Sequence, residues 1–484
     1  MQLKIGRQNI LRSGHLSRCL SASTARFAVA WPSPLQHWLS GPAARSLLTS
    51  RFASSAATSK VEAEPENIIT NPDPAADSKS AEYIRTYEPN CLTTYARPGI
   101  VLTDGKGCYV KDIEGRKYLD FSAGIAVTAL GHANEEIAKI VYDQAMKTIH
   151  TSNLYYNEWT GRLCKLLIER TLATDGMASA SRVFVGNSGS EANEAALKFA
   201  RKYGKTGPKG SPEKTEVVSF HRSFHGRTFG SLSATPNLKY QKPFAPMVPG
   251  FKYATFNDVG SLDLITKNTC GVIIEPIQGE GGIFPASQEF MEALRKKCDE
   301  VDAILIFDEI QCGLGRTGFL WAHEAFGPLA QPDIMTTAKA LGNGIPIGAA
   351  IVSEKVAEVI KIGDHGTTFG GNPFATRVAH YVVEQLSTPE FLDSVKHKAE
   401  LFRAGLEQLK EKYPTIATEI RGSGLMWGVQ LNQDPTPVVD AARLRGLLVI
   451  TAGENTLRIV PPLVIKEEEI LEGLEILESA IASL

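Results

Sequence analysis

The chain has 484 residues, 43% hydrophobic and 21% charged, with 51 basic and 53 acidic side chains for a formal net charge of −2. That length provides for a large core and two or three domains, and no apolar run approaches the ~18 residues that span a bilayer. Eight of the basic side chains and none of the acidic ones fall in the first 60 residues, so the remainder carries 43 basic against 53 acidic groups, which excludes a basic nucleic-acid footprint.

Residues 1–60 place Arg7, Arg12, Arg18, Arg26, Arg45 and Arg51, with Lys4 and Lys60, among many serines, and lack the compact apolar core of a secretory signal. This composition predicts a mitochondrial transit peptide, and so a protein of the mitochondrial matrix; a basic tail without targeting function is the bland alternative. The seven cysteines (Cys19, Cys91, Cys108, Cys164, Cys270, Cys298, Cys312) form no C-x-x-C pair, as expected of reduced thiols. Residues 61–80, rich in proline, acid and alanine, read as a linker or N-terminal arm. Within residues 81–125, read as the N-terminal part of a small domain, GCYVKDIEGRKYLDF (Gly107 to Phe121) predicts a hairpin turning at Glu114-Gly115.

Residues 126–388 alternate strand-like runs (SRVFVGN, TEVVSF, GVIIEPI, AILIFDE, IGAAIVS) with helical stretches such as SEANEAALKFARKYG and QEFMEALRKKCDEV. Such alternation predicts an α/β domain with a mostly parallel sheet covered by helices on both faces. Residues 389–484 change to long amphipathic helices, a short strand GLMWGVQL and a closing helix KEEEILEGLEILESAIASL. They read as a smaller α+β domain, completed by the N-terminal hairpin.

Ligands of open parallel α/β sheets sit beyond the carboxyl ends of the strands, and three such ends carry chemistry-bearing residues. In VGNSGSEANEAALKFA a strand runs into a turn and a helix, so Ser188, Gly189 and Ser190 lie at a helix N-terminus suited to a phosphate; plain capping explains them equally well. In AILIFDEIQCGLGRTG a buried strand meets Asp308 and Glu309, two adjacent carboxylates that are costly without a cation. Asp308 could cap a turn, pair with Arg316, or hold a protonated heterocyclic nitrogen. In DIMTTAKALGNGIPIGA, Lys339 stands between an apolar strand and a glycine turn, where it either snorkels or, desolvated, condenses with an aldehyde.

The motifs SGSEANEA, FHGRT, EPIQGEGG, FDEIQCGLGRTG, AKALGNG, TTFGGNP and LRIVPPLVI follow one another from about Tyr95 to the C-terminus. In type and order they resemble the class III aminotransferases of pyridoxal-phosphate fold type I. GIAVTALGH and HTSNLYYNE are most similar to the acetylornithine-transaminating branch of that family.

The resemblance implies a mostly parallel seven-stranded sheet flanked by helices, a smaller α+β domain, pyridoxal 5′-phosphate as cofactor, and a homodimer. It implies that Lys339 bonds to the cofactor and moves the proton, and that Asp308 holds the ring nitrogen. Gln311 matches the residue beside the phenolic oxygen, Phe224 the aromatic stacked on the ring, and Ser188, Gly189 and Ser190 the phosphate cradle. Thr368 resembles the phosphate ligand donated by the neighbouring subunit, with Thr367 beside it assigned to substrate. Arg227 and Arg458 match two carboxylate-binding arginines, which suit a dicarboxylate such as glutamate or 2-oxoglutarate. Glu280 matches the residue that neutralises Arg458 when a terminal-amine donor is bound. Ile125 stands where ornithine aminotransferases carry a tyrosine, so it withholds a hydroxyl from a free α-amino group and leaves room for an acylated one.

The expected reaction is ping-pong transfer of the δ-amino group of N-acetylornithine to 2-oxoglutarate, as in arginine biosynthesis. Ornithine and γ-aminobutyrate transamination are the alternatives within the class. A non-catalytic assembly or regulatory subunit is the alternative outside it. Small-molecule partners are expected, and neither nucleic acid nor membrane.

Overall fold

The structure, a computed structural model, describes residues 69–483. The expected transit peptide, residues 1–60, and residues 61–68 of the expected linker lie outside them. Residues 69–80 meet both the N-terminal hairpin and the C-terminal residues: the Asn71 N–H donates to the Leu444 carbonyl at 2.8 Å and its side-chain amide to the Lys117 carbonyl at 2.8 Å.

A seven-stranded sheet forms the centre, in the spatial order Ala180–Gly186, Gly348–Ser353, Ile334–Thr337, Ile304–Asp308, Thr269–Ile274, Glu216–Phe220, Phe251–Ala254. All pairings are parallel except those of Gly348–Ser353, which runs antiparallel to both neighbours. The reversal follows from chain length. Residues 338–347 are too few for the crossover that joins parallel strands, so the chain turns back directly.

The central strands are buried on both faces, which is why they read as unbroken apolar runs. Alternate residues of Ile304–Asp308 serve opposite layers. Ile304 and Ile306 meet the helix Gly189–Thr206 through Ala196, Phe199 and Ala200. Leu305 and Phe307 meet the helix Gln288–Val301 through Phe290, Met291 and Leu294. The strand Phe251–Ala254 is absent from the sequence reading. It sits at the sheet edge, only partly buried and carrying Lys252, so its apolar signal is weak.

C-terminal residues build a second, antiparallel four-stranded sheet in the order Ala417–Ser423, Met426–Leu431, Thr456–Ile459, Ile450–Ala452. The hairpin strands Tyr109–Asp112 and Lys117–Asp120 are antiparallel, with Gly115 at φ 86° in their turn. Strand Leu447–Leu448 then joins Lys117–Asp120 in parallel, tying the N-terminal hairpin to the C-terminal residues. The helices Pro389–Lys412 and Glu467–Ala482 pack there: the Phe121 ring meets Phe402 edge-on at 5.3 Å, and a Cβ on Gly473 would come within 2.0 Å of it. The longer helix carries its signals in sequence, with Thr388 as N-cap, Pro389 in the first turn and Lys410 and Lys412 in the last.

Candidate active site

The carboxyl ends of the parallel strands surround a cavity of about 310 Å³ lined by Ser188, Gly189, Ser190, Phe224, His225, Glu275, Asp308, Gln311 and Lys339. A larger cavity of about 660 Å³ shares Phe224 with it and is bounded by Tyr240, Glu280 and residues 451–454. The structure thus brings together the residues from all three strand ends singled out in the sequence.

At the first end, Ser188 caps the helix Gly189–Thr206 by accepting the Glu191 N–H at 3.2 Å, so the capping role is real. It is also compatible with a cradle: Gly189 and Ser190 lie in the first turn, whose N–H groups have no intrahelical acceptor, and both line the cavity. The reversed strand closes the other side. A Cβ on Gly348 would lie 2.2 Å from the Ser188 carbonyl, and one on Gly189 2.9 Å from Ile310.

Asp308 and Glu309 diverge. Asp308 Oδ2 accepts the Asn193 side-chain amide at 2.8 Å and faces His225 Nδ1 at 2.8 Å, while Oδ1 accepts the Ile310 N–H at 3.1 Å. Asn193 is itself held by Thr336 and by the His225 carbonyl. Glu309 points away from the cavity. It accepts the N–H groups of Ala322 and His323 and lies 2.6 Å from His323 Nδ1. His323 Nε2 faces the Gly176 carbonyl, so both ring nitrogens donate. Burial opposes charge on this ring, but Glu309 and the carbonyl outweigh it and raise its pKa. The cation for Glu309 is therefore His323. The alternative pairing of Asp308 with Arg316 is not the one adopted: the Arg316 guanidinium, whose pKa burial lowers to about 9, donates to the carbonyls of Leu425 and Pro461 and bolts the two sheets together.

Lys339 follows the strand Ile334–Thr337 at φ 43°, a left-handed conformation uncommon outside glycine and of the kind stored at functional sites. Burial, then the nearby Arg458, lower its pKa to about 8 against the opposing pull of Asp308, Glu275 and Glu280. A neutral amine in the cavity is a nucleophile and a base. Phe224 is half-buried and lines the cavity wall rather than the core.

The two arginines arrive from different parts of the chain. Arg458, on the strand Thr456–Ile459, is buried, with Nη2 3.0 Å from Glu280 Oε2 and Nη1 3.5 Å from Gln311 Oε1. Arg227 is exposed and lines neither cavity; its guanidinium carbon lies 3.7 Å over the Tyr240 ring. Thr367 also stands outside both cavities, its hydroxyl 2.8 Å from the Asn187 amide, and Thr368 is exposed. Ile125, 40% exposed, lies in a run of left-handed residues, Ala123 to Ala126, with φ between 47° and 66°.

Asn193, His225, Glu275 and Tyr240 were not selected from the sequence, although signals existed. Asn193 shares a helix face with Ala196 and Ala200, a polar residue on a buried stripe. Glu275 follows a buried strand as Asp308 ends one. Its pKa is raised to about 7 by burial, with His225 opposing and Asp308 reinforcing, and it accepts the N–H groups of Phe224 and Gly279.

The donor set fits pyridoxal phosphate: a desolvated lysine, a buried acid, a first-turn cradle, and a buried His225 Nε2 without a partner among the described residues. The chain is 59% identical over 414 residues to "Acetylornithine aminotransferase, mitochondrial" of Neurospora crassa, covering 85% of this chain and 89% of that one. Among solved structures it resembles an N-acetylornithine aminotransferase from Stenotrophomonas maltophilia (37% identity, TM-score 0.69, 81% of this chain and 98% of that one). It also resembles an ornithine aminotransferase from Toxoplasma gondii (31%, TM-score 0.79, 84% and 96%). Residues 93–481 match the family described as aminotransferase class-III, and with the lysine, acid and cradle converging on one cavity, the chain belongs to that family.

Proposed function

We propose that the chain transfers the δ-amino group of N2-acetyl-L-ornithine to 2-oxoglutarate, giving N-acetyl-L-glutamate 5-semialdehyde and L-glutamate, in arginine biosynthesis. The observation that carries this reading is the 3.0 Å pair between Arg458 and Glu280, placed between the cavity of Lys339 and the larger one beside it. The relatives' names support the donor and a mitochondrial location, in which the matrix is the compartment expected.

Pyridoxal phosphate, when bound, supplies an aldehyde that accepts the amine and a protonated ring that takes up an electron pair. Lys339 would hold it covalently, Asp308 its ring nitrogen, Gln311 its phenolic side, Phe224 its face, and Ser188, Gly189 and Ser190 its phosphate. Lys339 Nζ, once released, removes the proton from the carbon bearing the substrate's amino group and returns it later in the turnover. Asn193 and His225 keep Asp308 oriented, since both its oxygens are already bonded to the protein.

Arg227 binds the carboxylate remote from the reacting amine: the α-carboxylate of N-acetylornithine, and the γ-carboxylate of glutamate or 2-oxoglutarate. Arg458, near Lys339, binds the α-carboxylate that glutamate and 2-oxoglutarate carry on the reacting carbon. For N-acetylornithine, whose reacting δ-carbon carries no carboxylate, Glu280 stays on Arg458 and neutralises it; for the dicarboxylate it swings away. Ile125 favours the acylated donor because it offers no hydroxyl to a free α-amino group. The chain takes amino- and keto-acid substrates, and its family is generally dimeric. In the dimer, the exposed Thr368 completes the neighbouring subunit's phosphate site, with Thr367 beside it near substrate.

The test offers N-acetylornithine, ornithine and γ-aminobutyrate separately to the holoenzyme, without an oxoacid, and follows the loss of its visible absorption. N-Acetylornithine is expected to react fastest by a wide margin. If ornithine or γ-aminobutyrate reacts faster, the donor assignment and the role of Ile125 both fall.

A further inference from the structure

The two arginines are held by different kinds of partner. Arg458 carries a carboxylate partner, Glu280, at 3.0 Å. Among the described residues Arg227 has no carboxylate within ion-pair distance. Its guanidinium carbon lies instead 3.7 Å from the centroid of the Tyr240 ring and 5.3 Å from that of Phe224.

The chemistry of the two partners differs in what it consumes. A carboxylate accepts the N–H groups of a guanidinium and must leave before another carboxylate can bind. An aromatic face attracts the cation through its quadrupole and accepts none of them. All five donors of Arg227 therefore remain available for a bidentate bond to substrate.

Tyr240 is well placed for this work. It lies in the short helix Leu238–Gln241 and lines the larger cavity. Its neighbour Gln241 is buried and donates to the carbonyls of Leu232 and Thr235, both at 3.0 Å, and to the Tyr253 hydroxyl at 3.2 Å. Its ring stands at 86° to that of Phe224, with centroids 6.4 Å apart. The turn is thus pinned from below while the ring faces the arginine. An exposed arginine with no such partner would spread over many rotamers and lose that freedom on binding.

We infer that Tyr240 is a positioning residue: it holds Arg227 in a binding-ready orientation without occupying it. Resting on the reading of Arg227 as the clamp for the carboxylate remote from the reacting amine, this makes Arg227 an ungated site for the carboxylate both donors carry at that end. Arg458, gated by Glu280, serves only the dicarboxylate.

The test compares holoenzymes of Tyr240→Leu, Tyr240→Phe, Tyr240→Trp and Arg227→Gln in both half reactions, with N-acetylornithine and with glutamate. Tyr240→Leu is expected to raise KM for both donors by roughly three- to tenfold, the size of a lost cation–π contact, with a smaller change in kcat. Tyr240→Phe and Tyr240→Trp, which keep an aromatic face, restore the parent KM. The visible absorption of the Tyr240→Leu holoenzyme stays that of the parent, which separates a substrate effect from damage to the cofactor site. If Arg227→Gln raises KM while Tyr240→Leu does not, the inference is overturned and the clamp stands. If Arg227→Gln leaves KM unchanged in both half reactions, the clamp itself falls and the inference with it. A loss in Tyr240→Phe equal to that in Tyr240→Leu also overturns it, because the hydroxyl and not the face would then be responsible.

Discussion

Glu280 Oε2 lies 3.0 Å from Arg458 Nη2, joining a loop of the large sheet to a strand of the small one. The carboxylate is one-third exposed and the guanidinium 3% exposed, so the acid is the partner free to move. In Glu280→Ala the arginine keeps its charge without a partner. The N-acetylornithine half reaction should then slow on the order of tenfold or more, the size of an unpaired buried charge, and the glutamate one much less. Single-turnover rates for both donors decide it, and equal losses would sink the gate.

Lys339 is predicted to react as a neutral amine at unusually low pH. Its pKa is lowered to about 8, so the protonated, unreactive form prevails below that value and the nucleophilic form above it. The rate at which apoprotein captures pyridoxal phosphate should rise with pH around a midpoint of about 8, against about 10.4 for an ordinary lysine. Arg458→Gln removes a repelling charge and should move the midpoint upward. A midpoint that stays near 10 in the parent protein would contradict the assignment.

The buried His323–Glu309 pair should make stability depend on pH with a definite sign. The pair raises the imidazole pKa, so its contribution is fully present below the unfolded value of about 6.5 and declines as pH climbs through the folded one. Removing one partner of a buried pair costs about 3–5 kcal/mol. The gap in Tm between the parent and His323→Asn should be widest near pH 6 and narrow at alkaline pH. A gap of constant width would argue that the pair is not charged.

The left-handed run Ala123–Ala126 needs an external hold, since each such L-residue costs about 1–2 kcal/mol. Asp120 supplies it, accepting the N–H groups of Ser122 at 2.8 Å and Ala123 at 3.0 Å and facing His132 Nε2 at 2.8 Å. Asp120→Ala should lower stability by about 1.5–3 kcal/mol and raise KM for N-acetylornithine, measured by denaturant unfolding and steady-state kinetics. Ile125→Tyr should shift donor preference toward ornithine. An unchanged ratio of kcat/KM for the two donors would remove Ile125 from the specificity argument.

Much of this was legible because the signals are local. The run ILIFD before Glu309, the turn NSGS before a helix with alanines on one face, and a lysine between IMTT and a glycine turn each announce a strand end within a dozen residues. The strand rule then selects Asp308 and Lys339. The same rule also selects Glu275, and the inward-facing Asn193 was visible as a polar residue among alanines. The edge strand Phe251–Ala254 was not legible, because a partly solvated strand lacks the continuous apolar run of its neighbours.

By itself the sequence determined the layer architecture and the family and singled out Lys339, Asp308 and the turn at Ser188 to Ser190 as candidates, since these rest on periodicity, capping and motif order along one stretch of chain. Only the tertiary structure decided which charges meet. Nothing local distinguishes Asp308, facing His225, from Glu309, which turns to His323, or tells that Arg316 meets the carbonyls of Leu425 and Pro461 while Arg458 meets Glu280 and Arg227 meets Tyr240. Partners of that kind come from elements far apart in sequence, and their pairing is set by how the ends of the large sheet and the second, antiparallel sheet meet beside the cavity.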